Sequence, residues 1–480
     1  MNTAILRLFG LVCVLFAVLI AFTSRWTVFE ANALRDNKLN RRQILQEQRI
    51  PRGSIRAADG TILARSRAIG RGGDKTYTRV YPNPQAQAFA HALGYSFTRV
   101  GRAGLEQSRN DELTGATSGV ETVFDQLTGK RRVGQDITTT LDPKVQAAAI
   151  NGLAGRKGGV VALDPRTGAV KAMVSTPGYD PASVNLPGKF RALNADKNAP
   201  LFNRTTQAGY APGSTFKVVT AIAALESGQF TPSSQVSGKN GIKISGVPLQ
   251  NDAGEDFGSV DLTTALTHSI NTVWAQVAEK IGKAQMGKTM EKLGFDKLPP
   301  LDYPADQRRA SGEYKGGNVL SPRSRFVDVG RMGIGQDKLQ VTPLQMAMVA
   351  AAVANGGKLM RPHLTARAVD QDGRTTETIK PSVYSQAMSP QTAQQVGQMM
   401  SNVVKEGTGT AAALQGIDVA GKTGTAEVGS CPGGNQVSFI AFAPVVNPRA
   451  AVAVTLECAP GQAGVFAAPI AKQVLESMLK

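Results

Sequence analysis

Ala211-Pro212-Gly213-Ser214-Thr215-Phe216-Lys217-Val218-Val219-Thr220-Ala221-Ile222-Ala223-Ala224-Leu225 joins two breakers to a serine, a lysine three residues on, and an apolar run. The breakers place Ser214 at a helix start, and the apolar continuation predicts that the helix is buried. At i,i+3 the Lys217 amine lies one turn above the Ser214 hydroxyl, on the same face. Burial disfavours the ammonium form, so Lys217 is expected to be neutral and to act as general base toward Ser214. Backbone N–H groups at the helix N-terminus lie where an oxyanion would form. Spacing alone does not single out this serine, because Ser477-Met478-Leu479-Lys480 repeats it at the chain end, without the turn-to-helix context.

Two further stretches supply groups that such a pair needs. In Ser269-Ile270-Asn271, a second hydroxyl can relay a proton and an amide can orient both lysine and substrate. The same pattern occurs at Ser108-Arg109-Asn110 and Ser183-Val184-Asn185, and taken alone Ser269-Ile270-Asn271 also reads as a polar helix N-cap. Lys422-Thr423-Gly424-Thr425 occurs once. It reads as a strand whose glycine admits another backbone at close range. Lys422 supplies positive charge, Thr423 and Thr425 supply hydroxyls, and the Thr425 N–H can complete an oxyanion hole, a set suited to a free carboxylate. A second cation would also depress the Lys217 pKa. Gly416 to Thr423 matches the phosphate-binding loop pattern G-x-x-x-x-G-K-T, but no hydrophobic strand precedes it and no helix follows.

Around these motifs the pattern is α+β. Asp142-Pro143 opens a helix over Lys144–Leu153, and residues 159–163 and 169–174 read as strands joined by the turn Asp164-Pro165-Arg166-Thr167-Gly168. Thr342-Pro343-Leu344-Gln345 predicts a capping box and an apolar helix stopped by Asn355-Gly356-Gly357. Residues 437–443 and 450–457 read as strands, with a helix from Pro469, so the sheet is expected to draw on both ends of the segment. Earlier, Asp59-Gly60 sits between two short strands as a hairpin turn within a small module rich in breakers.

In this order the three motifs resemble the penicillin-recognising serine enzymes. The likeness extends to Arg52-Gly53-x-Ile55, Asp59-Gly60-x-x-Leu63-Ala64, Arg79-Val80-Tyr81-Pro82 and Gly104-Leu105-Glu106, which look like the pedestal of class B penicillin-binding proteins. Thr140-Leu141-Asp142, Asp164-Pro165-x-Thr167-Gly168, Tyr210-x-Pro212-Gly213-Ser214, Gly333-Ile334-Gly335-Gln336 and Thr342-Pro343-Leu344-Gln345 look like their transpeptidase domain. Within the family the likeness is to the short penicillin-binding protein A type. The resemblance implies a penicillin-binding, serine β-lactamase-like fold and a peptidoglycan D,D-transpeptidase. Ser214 would attack a D-Ala carbonyl of a stem peptide, with Lys217, Ser269, Asn271 and Lys422 catalytic and Thr423, Gly424 and Thr425 binding substrate. β-Lactams would acylate Ser214. It implies no cofactor and no nucleic-acid partner, and it implies a membrane-embedded glycan polymerase of the SEDS type beside the enzyme. D,D-carboxypeptidase, β-lactamase and an inactive penicillin-binding scaffold or sensor are the alternatives. The pedestal is short for class B, and Ser269-Ile270-Asn271 carries Ile where class A β-lactamases have Asp.

If Lys422-Thr423-Gly424-Thr425 and the two strands after it form an antiparallel meander, Cys431 and Cys458 emerge at one end of the sheet, and an oxidising compartment permits a bond. Strands two apart lie about 9.6 Å from each other, so the glycine-rich loop 429–434 must reach inward. Cys13 reads as an apolar membrane residue.

Composition is compatible with this reading. The 480 residues are 42% hydrophobic and 19% charged, a globular balance. The net charge of +18 is spread along the chain and favours anionic surroundings without choosing among membrane, acidic wall polymer and nucleic acid. Three histidines and three cysteines without CxxC or HExxH spacing argue against a metal site. Residues 4–23 read as a transmembrane anchor, 24–135 as linker and pedestal, and 136–480 as the transpeptidase domain. The rival for the first segment is a signal peptide cleaved at Ala31-Asn32-Ala33. Arg25, Arg35, Lys38, Arg41 and Arg42 follow the apolar segment, and the charge rule alone would hold the body in the cytoplasm. The implied chemistry places the catalytic domain outside the plasma membrane instead.

Overall fold

The computed structural model describes residues 3–30, 47–70, 75–116, 133–429, 431 and 433–480. Ala31-Asn32-Ala33, Arg35, Lys38, Arg41 and Arg42 lie outside the described residues. Helix α1 (Thr3–Ser24) has no buried residue and runs on through a π-helical turn, Arg25–Phe29. With mean hydropathy 2.8 over a single window it is long and apolar enough to cross a bilayer.

The pedestal begins with β1 (Ile55–Arg56) and β2 (Ile62–Ile69), antiparallel about Asp59-Gly60. The Asp59 carboxylate accepts the Thr61 N–H at 2.9 Å, and Gly60 takes φ +90°, as such a turn requires. β3 (Thr76–Val80) pairs with β2. Helix α2 (Gly104–Ser108) brings in Glu106, which is fully buried. Its carboxylate accepts from Arg52 Nε at 2.7 Å and from Arg79 Nε at 2.5 Å. Burial alone would raise the Glu106 pKa, but the two guanidinium charges outweigh it and hold the acid below its ordinary range. Thus the motifs Arg52-Gly53, Arg79-Val80 and Gly104-Leu105-Glu106 meet at one ion cluster.

β4 (Asp136–Thr139) lies parallel to β1. Helix α3 (Pro143–Leu153) follows, capped by Asp142, whose side chain accepts from Lys144 N and Val145 N. β5 (Gly158–Leu163) and β6 (Val170–Thr176) form the expected hairpin. After the helices α4 (Lys217–Glu226), α5 (Leu262–Thr267), α6 (Asn271–Lys292) and α7 (Pro343–Ala354), the chain returns with β7 (Thr365–Val369) and β8 (Thr375–Thr378). These two strands join β4, giving a six-stranded sheet in the order β8-β7-β4-β1-β2-β3. The pedestal sheet is therefore completed by residues 365–378, which sequence reading had not connected to it.

Helix α8 (Pro390–Lys405) leads to β9 (Ala420–Glu427), β10 (Asn435–Ala443), β11 (Ala450–Ala459) and α9 (Ala468–Leu479). The second sheet is antiparallel throughout, in the order β9-β10-β11-β5-β6, so it is assembled from both ends of the segment. Its middle strands read as unbroken apolar runs because both faces are covered. Val161, Leu163, Ala451, Ala453, Ile440 and Phe442 face the core shared with α4, α7 and α8. The intervening Val160, Ala162, Val452, Val454, Phe439 and Ala441 pack with α3 and α9.

Two local expectations are refined. Thr342 caps α7 by accepting the Gln345 N–H at 3.1 Å, but Gln345 does not return the bond. Its Nε2 donates to Leu293 O at 2.8 Å, while Thr342 N donates to Ser311 Oγ, so half of the capping box is spent on tertiary contacts. Cys431, in the β9–β10 connection, is bonded to Cys458 near the end of β11, with Cα atoms 5.0 Å apart. The connection lies against β11: a Cβ on Gly434 would sit 3.1 Å from Ala459 O.

The Glu106 cluster gives a stability prediction. Glu106→Gln leaves two buried guanidinium groups without their anion and lowers stability by about 3–5 kcal/mol, whereas Glu377→Gln, which removes a partly exposed partner of Arg109, costs less than about 1 kcal/mol. Because the folded-state pKa of Glu106 is depressed, its contribution is present above the unfolded carboxylate pKa and is lost as pH falls through the folded value. Denaturant midpoints of the two variants and wild type, followed by far-ultraviolet circular dichroism at neutral and acidic pH, check this.

Candidate active site

The nucleophile turn is tighter than sequence reading expected. Gly213–Phe216 is a 3-10 turn, and α4 begins only at Lys217. A 3-10 turn eclipses side chains at i and i+3, which holds Ser214 and Lys217 on one edge. The turn is clamped by glycines where backbones meet. Gly213 has φ +52° and donates its N–H to Gly335 O at 3.1 Å. A Cβ on Gly335 would stand 1.9 Å from Gly213 O, and one on Gly424 would stand 2.5 Å from Pro212 O. These contacts account physically for Gly335 and for Gly424 of β9.

Lys217 is fully buried, as is Lys422. Lys217 Nζ donates to Ser269 O at 2.6 Å and to Asn271 Oδ1 at 2.6 Å, and lies 3.3 Å from Ser269 Oγ. It makes no hydrogen bond to Ser214, contrary to the simplest reading of their spacing. Lys422 Nζ approaches the same Ser269 Oγ from the other side at 2.9 Å. One hydroxyl therefore stands between two buried amines.

Ser269 reaches this position in the left-handed backbone region, at φ +60°. A non-glycine residue there is held by its surroundings, commonly at functional sites. Here α5 and α6 hold it: Ser269 N donates to Leu266 O and Ile270 N to Ala265 O across the corner between them. Asn271 is the first residue of α6, and the N-cap position belongs to Ile270, which caps nothing. The bland N-cap reading of Ser269-Ile270-Asn271 thus fails. Asn271 is oriented because its Nδ2 donates to Gln250 O at 3.0 Å, turning Oδ1 to Lys217. The neighbouring Asn251 accepts from Thr272 N and Thr272 Oγ1 at the start of α6.

Burial drives both lysines toward the neutral amine. Lys217 is held well below the ordinary lysine range by burial and then by the charge of Lys422, which the more distant Asp252 opposes. Burial brings Lys422 down to about 7.

Strand β9 presents the remaining residues. Thr423 Oγ1 lies 2.6 Å from Thr408 Oγ1 and 3.3 Å from Lys422 Nζ. Thr425 Oγ1 accepts the Ala463 N–H at 3.2 Å. Across the cleft, Gln462 Nε2 donates to Asp252 at 3.3 Å. Thr408, Gln250, Asn251, Asp252 and Gln462 escaped sequence reading, since no local spacing marks them. The Gly-Lys-Thr of the phosphate-loop match lies within β9, with no helix after it. Ser477, of the second serine–lysine match, lies in the last turn of α9 and bonds Val474 O. His268 stacks on Phe257 with ring centroids 6.1 Å apart.

The comparisons agree over nearly the whole chain. The family described as Penicillin binding protein transpeptidase domain matches residues 158–476, and Penicillin binding protein A dimerisation domain matches 52–137. Peptidoglycan D,D-transpeptidase PbpA of Mycolicibacterium smegmatis is 35% identical, covering 100% of this chain and 99% of that protein. The protein of the same name from Mycobacterium tuberculosis is 32% identical over the same shares. Among solved structures, penicillin-binding protein A from M. tuberculosis, as a ceftriaxone acyl-enzyme complex, aligns with TM-score 0.79 and 32% identity over 91% of this chain and 100% of that one. A D,D-transpeptidase domain from Eggerthella lenta aligns with TM-score 0.76 and 34% identity, over 90% and 98%. The chain belongs to the penicillin-binding protein transpeptidase family.

Proposed function

We propose that this chain is a peptidoglycan D,D-transpeptidase that cross-links stem peptides through an acyl-enzyme on Ser214, and that β-lactams acylate the same oxygen. The observation that carries the reading is Ser269 Oγ set between the Lys217 and Lys422 amines, beside the turn that holds Ser214. A neutral amine has two N–H bonds and one lone pair. Lys217 directs its two shortest bonds to Ser269 O and Asn271 Oδ1, which leaves the lone pair to take the Ser214 proton.

In the proposed sequence, Ser214 Oγ attacks the carbonyl of the penultimate D-Ala and its proton passes to Lys217. The C–N bond to the terminal D-Ala then breaks, and the leaving amine takes a proton relayed through Ser269. An amine of a neighbouring stem attacks the ester, returns a proton to the lysine–serine pair and frees Ser214. Lys422 with Thr423 and Thr425 would hold the terminal carboxylate, Thr408 fixing the Thr423 hydroxyl. α1 would anchor the chain in the plasma membrane with the catalytic domain outside it, beside a glycan polymerase of the SEDS type. We place the anchor at 4–23, the linker and pedestal at 24–135 and the transpeptidase domain at 136–480.

Three outcomes test this. Ser214→Ala abolishes labelling by fluorescent penicillin, whereas wild type gives an adduct that persists for hours. Equal labelling of both removes Ser214 from the mechanism, rapid loss of the adduct points to a β-lactamase, and an unlabelled wild type points to a scaffold. Gly424→Ala pushes the strand against Pro212 O and lowers the acylation rate by roughly tenfold or more, about 1.4 kcal/mol in the barrier, with some fall in melting temperature as the backbone shifts. Acylation falls as pH drops and Lys217 takes up a proton. Lys422→Gln removes a charge that depresses the Lys217 pKa, so the acid limb of the rate profile moves to higher pH. Stopped-flow acylation across pH reads the limb, and a shift to lower pH would contradict the assignment of Lys217 as base.

A further inference from the structure

The segment that enters the nucleophile turn is held by side chains as well as by glycines. Gln436, at the start of β10, is buried and donates its Nε2 to Ala211 O at 2.5 Å. The Tyr210 hydroxyl donates to Glu457 Oε1 at 2.8 Å, and Arg204 Nε donates to the same oxygen at 2.9 Å. Burial, and then the Glu457 charge, hold the Tyr210 hydroxyl well above its usual range, so it stays a neutral donor. The Tyr210 backbone is fixed as well: its N–H donates to Val341 O at 2.9 Å, and its carbonyl accepts from Val341 N at 2.7 Å.

Gln436 and Glu457 come from one irregularity of the sheet. Asn435 pairs with Ala459 and Val437 with Leu456, so Glu457 and Cys458 together face Gln436 alone. Such a β-bulge re-aims side chains, and bulges gather beside active sites. This one is pinned on both sides. Cys458, at φ +50°, is bonded to Cys431 in the β9–β10 connection, and Glu457 N donates to Lys157 O at 2.8 Å, just before β5. Apolar side chains would fill the same space without the cost of burying polar groups. The polar pair instead fixes the direction of the chain at two consecutive residues, Tyr210 and Ala211, just ahead of Ser214.

We infer that Gln436 and Glu457 are positioning residues for acylation, Gln436 acting through Ala211 O and Glu457 through the Tyr210 hydroxyl, so that the Ser214 oxygen stays in line for attack. The inference rests on Ser214 as the acylated nucleophile. Misplacing a reacting atom by about 1 Å costs on the order of a hundredfold in rate, so a small drift of this segment is enough to matter. The charges that shift Lys217 are those of Lys422 and Asp252, so loosening the segment leaves the protonation of the base alone.

Stopped-flow acylation of the full chain by a fluorescent penicillin separates the Kd of the first complex from the rate of acyl transfer. Gln436→Leu and Tyr210→Phe are each expected to lower that rate roughly tenfold, with Kd within about twofold of wild type and the acid limb of the rate profile at its wild-type pH. Glu457→Gln exchanges a charged acceptor for a neutral one; it lowers the rate roughly threefold alone and adds less than about twofold in Tyr210→Phe, because it acts through that hydroxyl. Thr140→Val removes a buried hydroxyl bonded to the Val170, His363 and Leu364 carbonyls. It is expected to lower the melting temperature and leave the acylation rate unchanged, which separates positioning from general stability. Wild-type rates in both Gln436→Leu and Tyr210→Phe, a loss confined to Kd, or an equal loss in Thr140→Val overturns the inference while leaving the proposed function standing. Equal labelling of wild type and Ser214→Ala overturns both.

Discussion

Two lysine amines held out of water on either side of one serine hydroxyl set the terms for the rest of this structure. Isolated ammonium groups are expensive to bury, and two such groups close together repel each other as well. The fold meets this constraint by shifting protonation: burial lowers both pKa values, and the charge of Lys422 lowers that of Lys217 further. The shift toward the neutral amine is thereby a consequence of packing and needs no carboxylate partner. The same dryness explains why α4, with nine buried residues among its ten, must be so apolar after Lys217.

Holding the hydroxyl in place requires backbone that side chains would obstruct. Ser269 sits in the left-handed region, at a cost of order 1–3 kcal/mol, and in that conformation both its carbonyl and its hydroxyl face Lys217. On the other side of the cleft, the Gly213 turn touches Gly335 and Gly424 at distances that exclude a Cβ. These glycines come from three separated parts of the chain. They act as one device, letting the turn, the segment after residues 329–333 and β9 approach one another closely.

What was legible in the sequence follows from this division. Asp142 before α3, the hairpin of β5 and β6, and the later strands β10 and β11 rest on local chemistry or on apolar runs bounded by breakers, and they appear at their expected places. Ser214, Lys217, Ser269, Asn271 and Lys422 were picked out by the spacing and order of three short motifs and by the turn-to-helix context of the first. The partners were not legible. Lys217 bonds Ser269 O and Asn271 Oδ1, Gln345 leaves its own helix cap for Leu293, and Thr408 meets Thr423. Each of these choices is made by a long-range contact, and hydrogen-bonding groups carry no mark of which distant acceptor they will meet.

The same reasoning applies between the two parts of the molecule. β7 comes from deep within the catalytic half, yet it pairs with β4 and extends the sheet that β1, β2 and β3 begin. Without the pedestal strands, β4 would present unpaired backbone at a sheet edge, a state that folded proteins manage explicitly. Arg109 reinforces the joint by bonding Glu112 within the pedestal and Asp302, Thr365 and Glu377 outside it. The pedestal is therefore part of the same hydrogen-bonded fabric as the strands next to the catalytic core. The boundary between the two parts is therefore one of sequence more than of structure.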